Sequence, residues 1–194
     1  MKKHDPKLLV VATSNPGKLR EMQLFLIDSG WELTLKPDDL DVEETGTTFS
    51  ENACLKASVV AKVTNQWAIA DDSGLAVDAL NGAPGVYSAR YGKTDTDRIQ
   101  RVLRELQDTS NRQAQFVCAI AIARPNGEIA LQTQGICRGE ILLAPRGNRG
   151  FGYDPIFYVP THQMTFAQMP PDLKQQVSHR GQAFKALLPQ LTQL

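Results

Sequence analysis

The run Val10-Val11-Ala12-Thr13-Ser14-Asn15-Pro16-Gly17-Lys18 decides the fold class. Lys7–Thr13 reads as a strand buried on both faces, because Leu8 to Ala12 are apolar without alternation. Ser14-Asn15-Pro16-Gly17 breaks that strand. A helix follows from about Lys18 to Ser29, with Leu19, Met22, Phe25 and Leu26 at helical spacing and Gly30 as its stop. Trp31–Leu35 is the next strand, so the chain opens as strand, helix, strand.

Further along the chain, Pro37–Thr48 is an acidic loop, and Thr48 or Ser50 starts a helix to about Val63. Trp67–Ala70 is a short strand that ends in Asp71-Asp72-Ser73-Gly74. Gly82, Pro84 and Gly85 mark a rigid loop, and Thr96–Leu106 is helical with Ile99, Val102, Leu103 and Leu106 on one face. Gln115–Ala123 and Glu128–Cys137 form a hairpin through Pro125-Asn126-Gly127, since Asn-Gly favours the tight turn. Ile141–Ala144 continues the sheet, Arg146–Gly152 is a basic, glycine-rich loop, and Gly181–Leu191 is a closing amphipathic helix. The expected fold is α/β: a mixed sheet flanked by helices, in a single domain over residues 1–194.

The composition sets limits on function. Hydrophobic residues at 42% and charged residues at 22% suit a soluble domain, and no apolar run approaches a membrane span. Net charge is +0, which argues against capture of long nucleic acid but leaves room for a small anion in one basic spot. The N-terminal Met1–Pro6 is basic, and the apolar stretch after it is too short for a secretory signal. Cys54, Cys118 and Cys137 form no close pair, which fits reduced thiols in the cytoplasm. His4, His162 and His179 have no zinc-site spacing.

Strand, tight turn and helix start place Thr13, Ser14, Asn15, Pro16, Gly17 and Lys18 where backbone amides and a helix dipole converge on an anion. The loop is not a Walker A motif, which needs glycine where Ala12 stands and Ser or Thr where Leu19 stands. By itself it also reads as an ordinary turn. Asp71-Asp72 sits at a strand's end, where α/β proteins build sites, and alternation turns only one of the two carboxylates inward. With a carboxylate from Glu43-Glu44, triphosphate oxygens and waters, it can complete an octahedral Mg²⁺ site; a solvated acidic face is the alternative. Asn52 and Lys56 are one helical turn apart and can aim a donor and a cation at phosphates, or stand on the surface.

In Gly150-Phe151-Gly152-Tyr153-Asp154-Pro155, glycines around an aromatic let backbone and ring approach a flat ligand. Ser178-His179-Arg180-Gly181 sets two donors just before a helix, with Lys174 upstream. Helix capping, a surface salt bridge and simple packing are the alternatives for these residues.

Six ordered stretches carry a resemblance. They are Thr13–Lys18; Glu43-Glu44-Thr45-Gly46 with Glu51-Asn52-Ala53; Ala70–Leu75; Gly82–Tyr91; Gly150–Pro155; and Ser178–Gly181. Together they resemble the inosine-triphosphate pyrophosphatase family, the Ham1-like or non-canonical purine NTP pyrophosphatases, over nearly the whole chain. The resemblance implies a magnesium-dependent homodimer that hydrolyses ITP, dITP and XTP to monophosphate and pyrophosphate. It also implies an elongated mixed sheet with two lobes and a central substrate cleft. It assigns Thr13–Lys18 to the triphosphate, Glu44 to the metal, Asp72 to metal and catalysis, and Ser73 to the substrate. Phe151, Gly152, Tyr153, Asp154, Lys174, His179 and Arg180 are assigned to the base. Arg98, Gln115, Gln168-Met169 and Asp172-Leu173 depart from the usual pattern. The alternatives are a related pyrophosphatase for modified pyrimidine nucleotides and a nucleotide sensor that does not hydrolyse.

Overall fold

The computed structural model describes residues 7–27 and 29–194. The basic Met1–Pro6 segment with His4, and Asp28 in the first expected helix, lie outside the described residues. Strand β1 (Lys7–Val11) leads into α1 (Pro16–Leu26), β2 (Trp31–Leu35), α2 (Phe49–Thr64) and β3 (Trp67–Val77). After them come α3 (Asp95–Glu105), β4 (Gln113–Ala123), β5 (Ile129–Ile141), β6 (Phe157–Val159), β7 (Met164–Thr165), α4 (Pro171–Val177) and α5 (His179–Leu191). Short 3₁₀ segments occupy Asp78–Leu80, Gly85–Arg90 and Pro160–His162.

The strands form one seven-stranded sheet in the order β2-β1-β3-β4-β5-β6-β7. β1 pairs in parallel with both β2 and β3, with Leu9 opposite Leu33 on one side and Trp67 on the other. The far edge is antiparallel, β5 to β6 and β6 to β7. The sheet is therefore mixed, as the α/β expectation requires. β4 and β5 are joined by a turn in which Gly127 donates to Arg124 at 2.7 Å and Arg124 donates to Glu128 at 2.8 Å. A connection that short joins only antiparallel strands, so the Asn-Gly hairpin is where the sequence placed it.

Several elements differ from expectation. α1 begins at Pro16, not Lys18, because proline suits the first helical position and Asn15 caps it. β3 does not stop at Ala70 but runs through Asp71-Asp72-Ser73-Gly74 to Val77, so the carboxylates lie mid-strand. β5 extends to Ile141, and no separate strand covers Ile141–Ala144. α5 takes in His179 and Arg180, which were expected just before it. α4 was not anticipated, although Pro171 at its first turn was a legible start signal.

The chain forms two compact units: Met1–Asp72 with Ala119–Gln134 and Ala183–Leu194, and Ser73–Cys118 with Gly135–Gln182. In the first unit, α2 meets the strands through small side chains. Ala53, Ala57, Val60 and Ala61 pack on Val10, Ala12, Ala68, Ala70, Ala119, Ala121 and Ala123. The second unit has a larger-residue core that includes Leu75, Ile99, Val102, Phe116, Ile156, Phe157 and Phe166. A capping box starts α2, in which Thr48 accepts from the Glu51 amide and Glu51 accepts from Thr48 in return.

Candidate active site

In the first unit, the loop after β1 is shaped by Asn15. Its side-chain oxygen accepts from the Gly17 and Lys18 amides at 2.9 and 3.2 Å, and its own amide donates to Thr13 Oγ1 at 3.2 Å. The Gly17 and Lys18 amides expected to face a phosphate are thus held by the N-cap. What the loop still offers is the hydroxyls of Thr13 and Ser14 and the positive end of α1. Thr13, Ser14, Asn15 and Pro16 border a pocket of about 240 Å³, completed by Leu19, Leu35, Lys36 and Asp38.

Strand alternation in β3 sends Asp71 and Asp72 to opposite faces, and each meets a lysine. Lys18 Nζ lies 3.1 Å from Asp71 Oδ2, whose side chain is fully buried. Lys56 Nζ, on α2, lies 2.6 Å from Glu44 Oε1 and 3.6 Å from Asp72 Oδ1. Asn52, one turn before Lys56, donates from Nδ2 to Asp72 Oδ2 at 3.1 Å and accepts the Gly46 amide on Oδ1 at 2.8 Å. Asn52 is wholly buried, where it braces Asp72 and the acidic loop. The surface alternative fails for both Asn52 and Lys56. Glu43 is exposed while Glu44 is half-buried on Lys56, so Glu44 is the carboxylate of that pair drawn to Asp72's lysine.

Burial raises the Asp72 pKa above its ordinary value, with Lys56 and Lys18 opposing. Burial works to lower the Lys56 pKa, but Asp72, Asp71 and Glu44 outweigh it and hold the ammonium charged. Among the described residues no three His, Cys, Asp or Glu side chains gather to hold a metal by themselves. Glu44 and Asp72 are hard oxygen donors already arranged around one cation, the Lys56 ammonium. They fit a Mg²⁺ whose remaining positions go to substrate oxygens and water.

The second unit holds the other motifs. Asp154 is 4% exposed, and its Oδ2 accepts from the Phe151 amide at 2.9 Å and pairs with Lys174 Nζ at 2.7 Å. The same ammonium lies 5.1 Å from the Phe151 ring centre. Tyr153 is buried and its hydroxyl donates to the Ser88 carbonyl at 2.9 Å; burial pushes its pKa up. Asp154 and Tyr153 therefore shape the Gly150–Asp154 loop from beneath. Gly150 has φ +75° and Gly152 φ +60°, and a Cβ at Gly150 would strike the Asp154 carboxylate. His179 stacks on Phe116, ring centres 4.6 Å apart and 11° from parallel. Arg180, 2% exposed, donates from Nη2 to Ser73 Oγ at 2.9 Å. Neither residue is a surface cap, so that alternative is overturned.

Two contributors were not singled out from sequence. Asp71, the partner of Lys18, was in view as half of an acidic pair, and strand alternation is the signal that gives it a separate role. Asp95 at the start of α3 accepts the Gly152 amide at 2.7 Å across 57 residues of sequence, a contact no local pattern announces.

The Ham1 family model matches residues 9–190. A dITP/XTP pyrophosphatase of Nostoc sp. is 71% identical over 185 residues, which cover 95% of this chain and 94% of that protein. One from Synechocystis sp. is 64% identical over 182 residues, 94% of each chain. The solved structure of a HAM1 protein from Coxiella burnetii superposes with a TM-score of 0.90 at 48% identity, covering 97% of this chain and 100% of that one. The chain belongs to the Ham1 family.

Proposed function

We propose that this chain is a nucleoside-triphosphate pyrophosphatase that hydrolyses deaminated purine nucleotides (ITP, dITP and XTP) to the monophosphate and pyrophosphate. The observation that carries the reading is the carboxylate pair Glu44 and Asp72 gathered on Lys56, with Lys18 held by Asp71 beside the loop after β1. The names of the Nostoc and Synechocystis relatives support the substrate class.

Glu44 and Asp72 are the residues that would hold Mg²⁺, which when bound neutralises charge on the phosphate oxygens. Asp72 accepts a proton from the water that attacks the α-phosphorus, and the bond from that phosphorus to the β-phosphate oxygen breaks as pyrophosphate leaves. Asn52 fixes the rotamer of Asp72 for that transfer. Lys56 and Lys18 keep positive charge where negative charge grows. Thr13, Ser14 and the N-terminus of α1 take the phosphate tail, with Asn15, Pro16 and Gly17 setting the shape of the loop.

Base recognition falls to Phe151, Gly152, Tyr153, Asp154, Lys174, His179 and Arg180, with Ser73 contacting the substrate beside Arg180. The Phe151 ring offers a stacking surface, and Lys174 can donate to a 6-keto oxygen while Asp154 holds it. Adenine carries an amino group there, and the resulting unpaired donors cost about 1–3 kcal/mol, roughly tenfold to hundredfold in selectivity. The reading takes residues 1–194 as a single domain, and the family resemblance supports a cytoplasmic homodimer. Among the described residues no helix is long and apolar enough to cross a membrane.

One assay tests the reading. Pyrophosphate and orthophosphate release are measured over ITP, dITP, XTP, ATP, GTP and modified pyrimidine triphosphates, with Mg²⁺ and with a chelator. Pyrophosphate from the first three, dependent on Mg²⁺, is expected. Orthophosphate release, or equal cleavage of ATP, overturns it.

A further inference from the structure

The loop that carries Phe151 and Gly152 is tied down by three hydrogen bonds within its own unit. Asp154 takes the Phe151 amide and Ser88 takes the Tyr153 hydroxyl. The third tie comes from Asp95, at the first turn of α3. Its Oδ2 accepts from Gly152 N–H at 2.7 Å, and its Oδ1 accepts from Arg98 Nη1 at 2.7 Å. Arg98 is itself anchored, donating from Nε to the Gly92 carbonyl at 3.2 Å. The Asp95 carboxylate is thus aimed by Arg98 at one backbone amide, and that amide belongs to a residue at φ +60°. A glycine there has wide backbone freedom, so its conformation must be imposed from outside.

We propose that Asp95 is a positioning residue for nucleotide-base recognition, holding the Phe151–Gly152 backbone in its binding shape through the Gly152 amide. This assignment rests on the base-binding reading of that loop. It gives a task to a residue outside the six motifs, and to Arg98, a departure from the usual family pattern. Asp95 does not touch substrate in this account. It lowers the conformational freedom that the loop would otherwise surrender on binding, so its effect belongs in KM and not in the chemical step.

The test compares Asp95→Ala with Asp95→Asn in the full-length chain. The Asn oxygen still accepts the Gly152 proton, while its amide nitrogen loses the pairing with Arg98. The first readout needs no substrate: hydrogen exchange of the Gly152 amide, followed by NMR. It is expected to be slow in the wild type, at least about tenfold faster in Asp95→Ala, and intermediate in Asp95→Asn, which keeps an acceptor for Gly152 but loses the aim from Arg98. The second readout is steady-state kinetics with dITP and XTP. Loss of one charge-assisted hydrogen bond is expected to raise KM by about three- to tenfold in Asp95→Ala with kcat within about twofold, and Asp95→Asn is expected to recover part of it. Unchanged Gly152 exchange in Asp95→Ala overturns the tie itself. Faster exchange with unchanged KM overturns its role in recognition. A fall in kcat at constant KM, or an Asn variant as impaired as the Ala variant, also overturns the proposal. If the wild type releases no pyrophosphate from either nucleotide, the functional reading fails, and the exchange data still judge the tie.

Discussion

Replacing Asn52 by alanine removes a side chain that is wholly buried and engaged at both ends of its amide. Nδ2 donates to a carboxylate oxygen of Asp72 at 3.1 Å, and Oδ1 accepts from the Gly46 amide at 2.8 Å. A hydrogen bond to a charged group contributes about 1.5–3 kcal/mol and a neutral one about 0.5–1.5 kcal/mol, so the expected loss of stability is about 2–4 kcal/mol. A typical domain has roughly 5–15 kcal/mol in all, so the variant should stay folded at room temperature with a visibly lower urea midpoint and an unchanged slope. The same change frees Asp72 to rotate and Gly46 to drift, carrying Glu44 with it. Turnover should therefore fall by about 10- to 100-fold even where the protein is folded. Urea titration followed by intrinsic fluorescence gives the first quantity, and pyrophosphate release at saturating dITP gives the second. A stability change below about 0.5 kcal/mol together with normal turnover would refute the bracing role, because a buried and a half-buried bond cannot vanish without consequence.

Asp72→Asn keeps the shape of the side chain and removes its charge; turnover is expected to fall by about 10²-fold or more, and near-normal turnover would remove Asp72 from the chemistry. Glu51 is held below its ordinary 4.5 by the Thr47 amide first, then by the Thr47 hydroxyl and the Thr48 amide. A depressed carboxylate stabilises the fold above pH 4.5 and loses that contribution as pH falls through its folded value. Glu51→Gln should thus lower the urea midpoint at pH 7, and the gap from wild type should close under acid; a gap independent of pH counts against it. Cys137 is pushed up to about 11 by burial, so at pH 8 its thiol should react with a disulfide reagent far more slowly in the native chain than in urea. Equal rates would contradict the burial.

The parts of the fold that could be read from sequence are those in which the local signal and the tertiary environment agree. The apolar run of β1, the Asn-Gly turn before β5, the Thr48 start of α2 and the helical spacing of α3 all fall where expected. β3 was cut short because Asp71-Asp72-Ser73 breaks its apolar run. The strand continues because Lys18 and Lys56 neutralise the two carboxylates from different helices, and no one-dimensional pattern shows that. The same blindness affects the site. Lys56 and Asp72 are recognisable as charged candidates, but nothing in the sequence shows that Asn52 is a buried brace. The sequence shows the turn's amides converging, but not that the Asn15 side-chain oxygen turns back over those of Gly17 and Lys18. For His179 and Arg180 the sequence leaves helix capping open beside base binding, since their burial is set by Phe116 and Ser73, distant in the chain.

The alanine seam between α2 and the strands bears on how Asn52 and Lys56 are aimed. A methyl group has no rotamer to choose, so the spacing between helix and sheet is not one of several side-chain arrangements but a fixed thickness, like a shim. Enlarging a shim lifts everything bolted above it. Ala57, fully buried one residue beyond Lys56, is such a position. Random variation here would damage the enzyme without touching a charged group, and the lesion would show as misaimed carboxylates in a chain that otherwise folds. In this protein, tolerance to change should follow side-chain volume along α2 more closely than distance from Asp72.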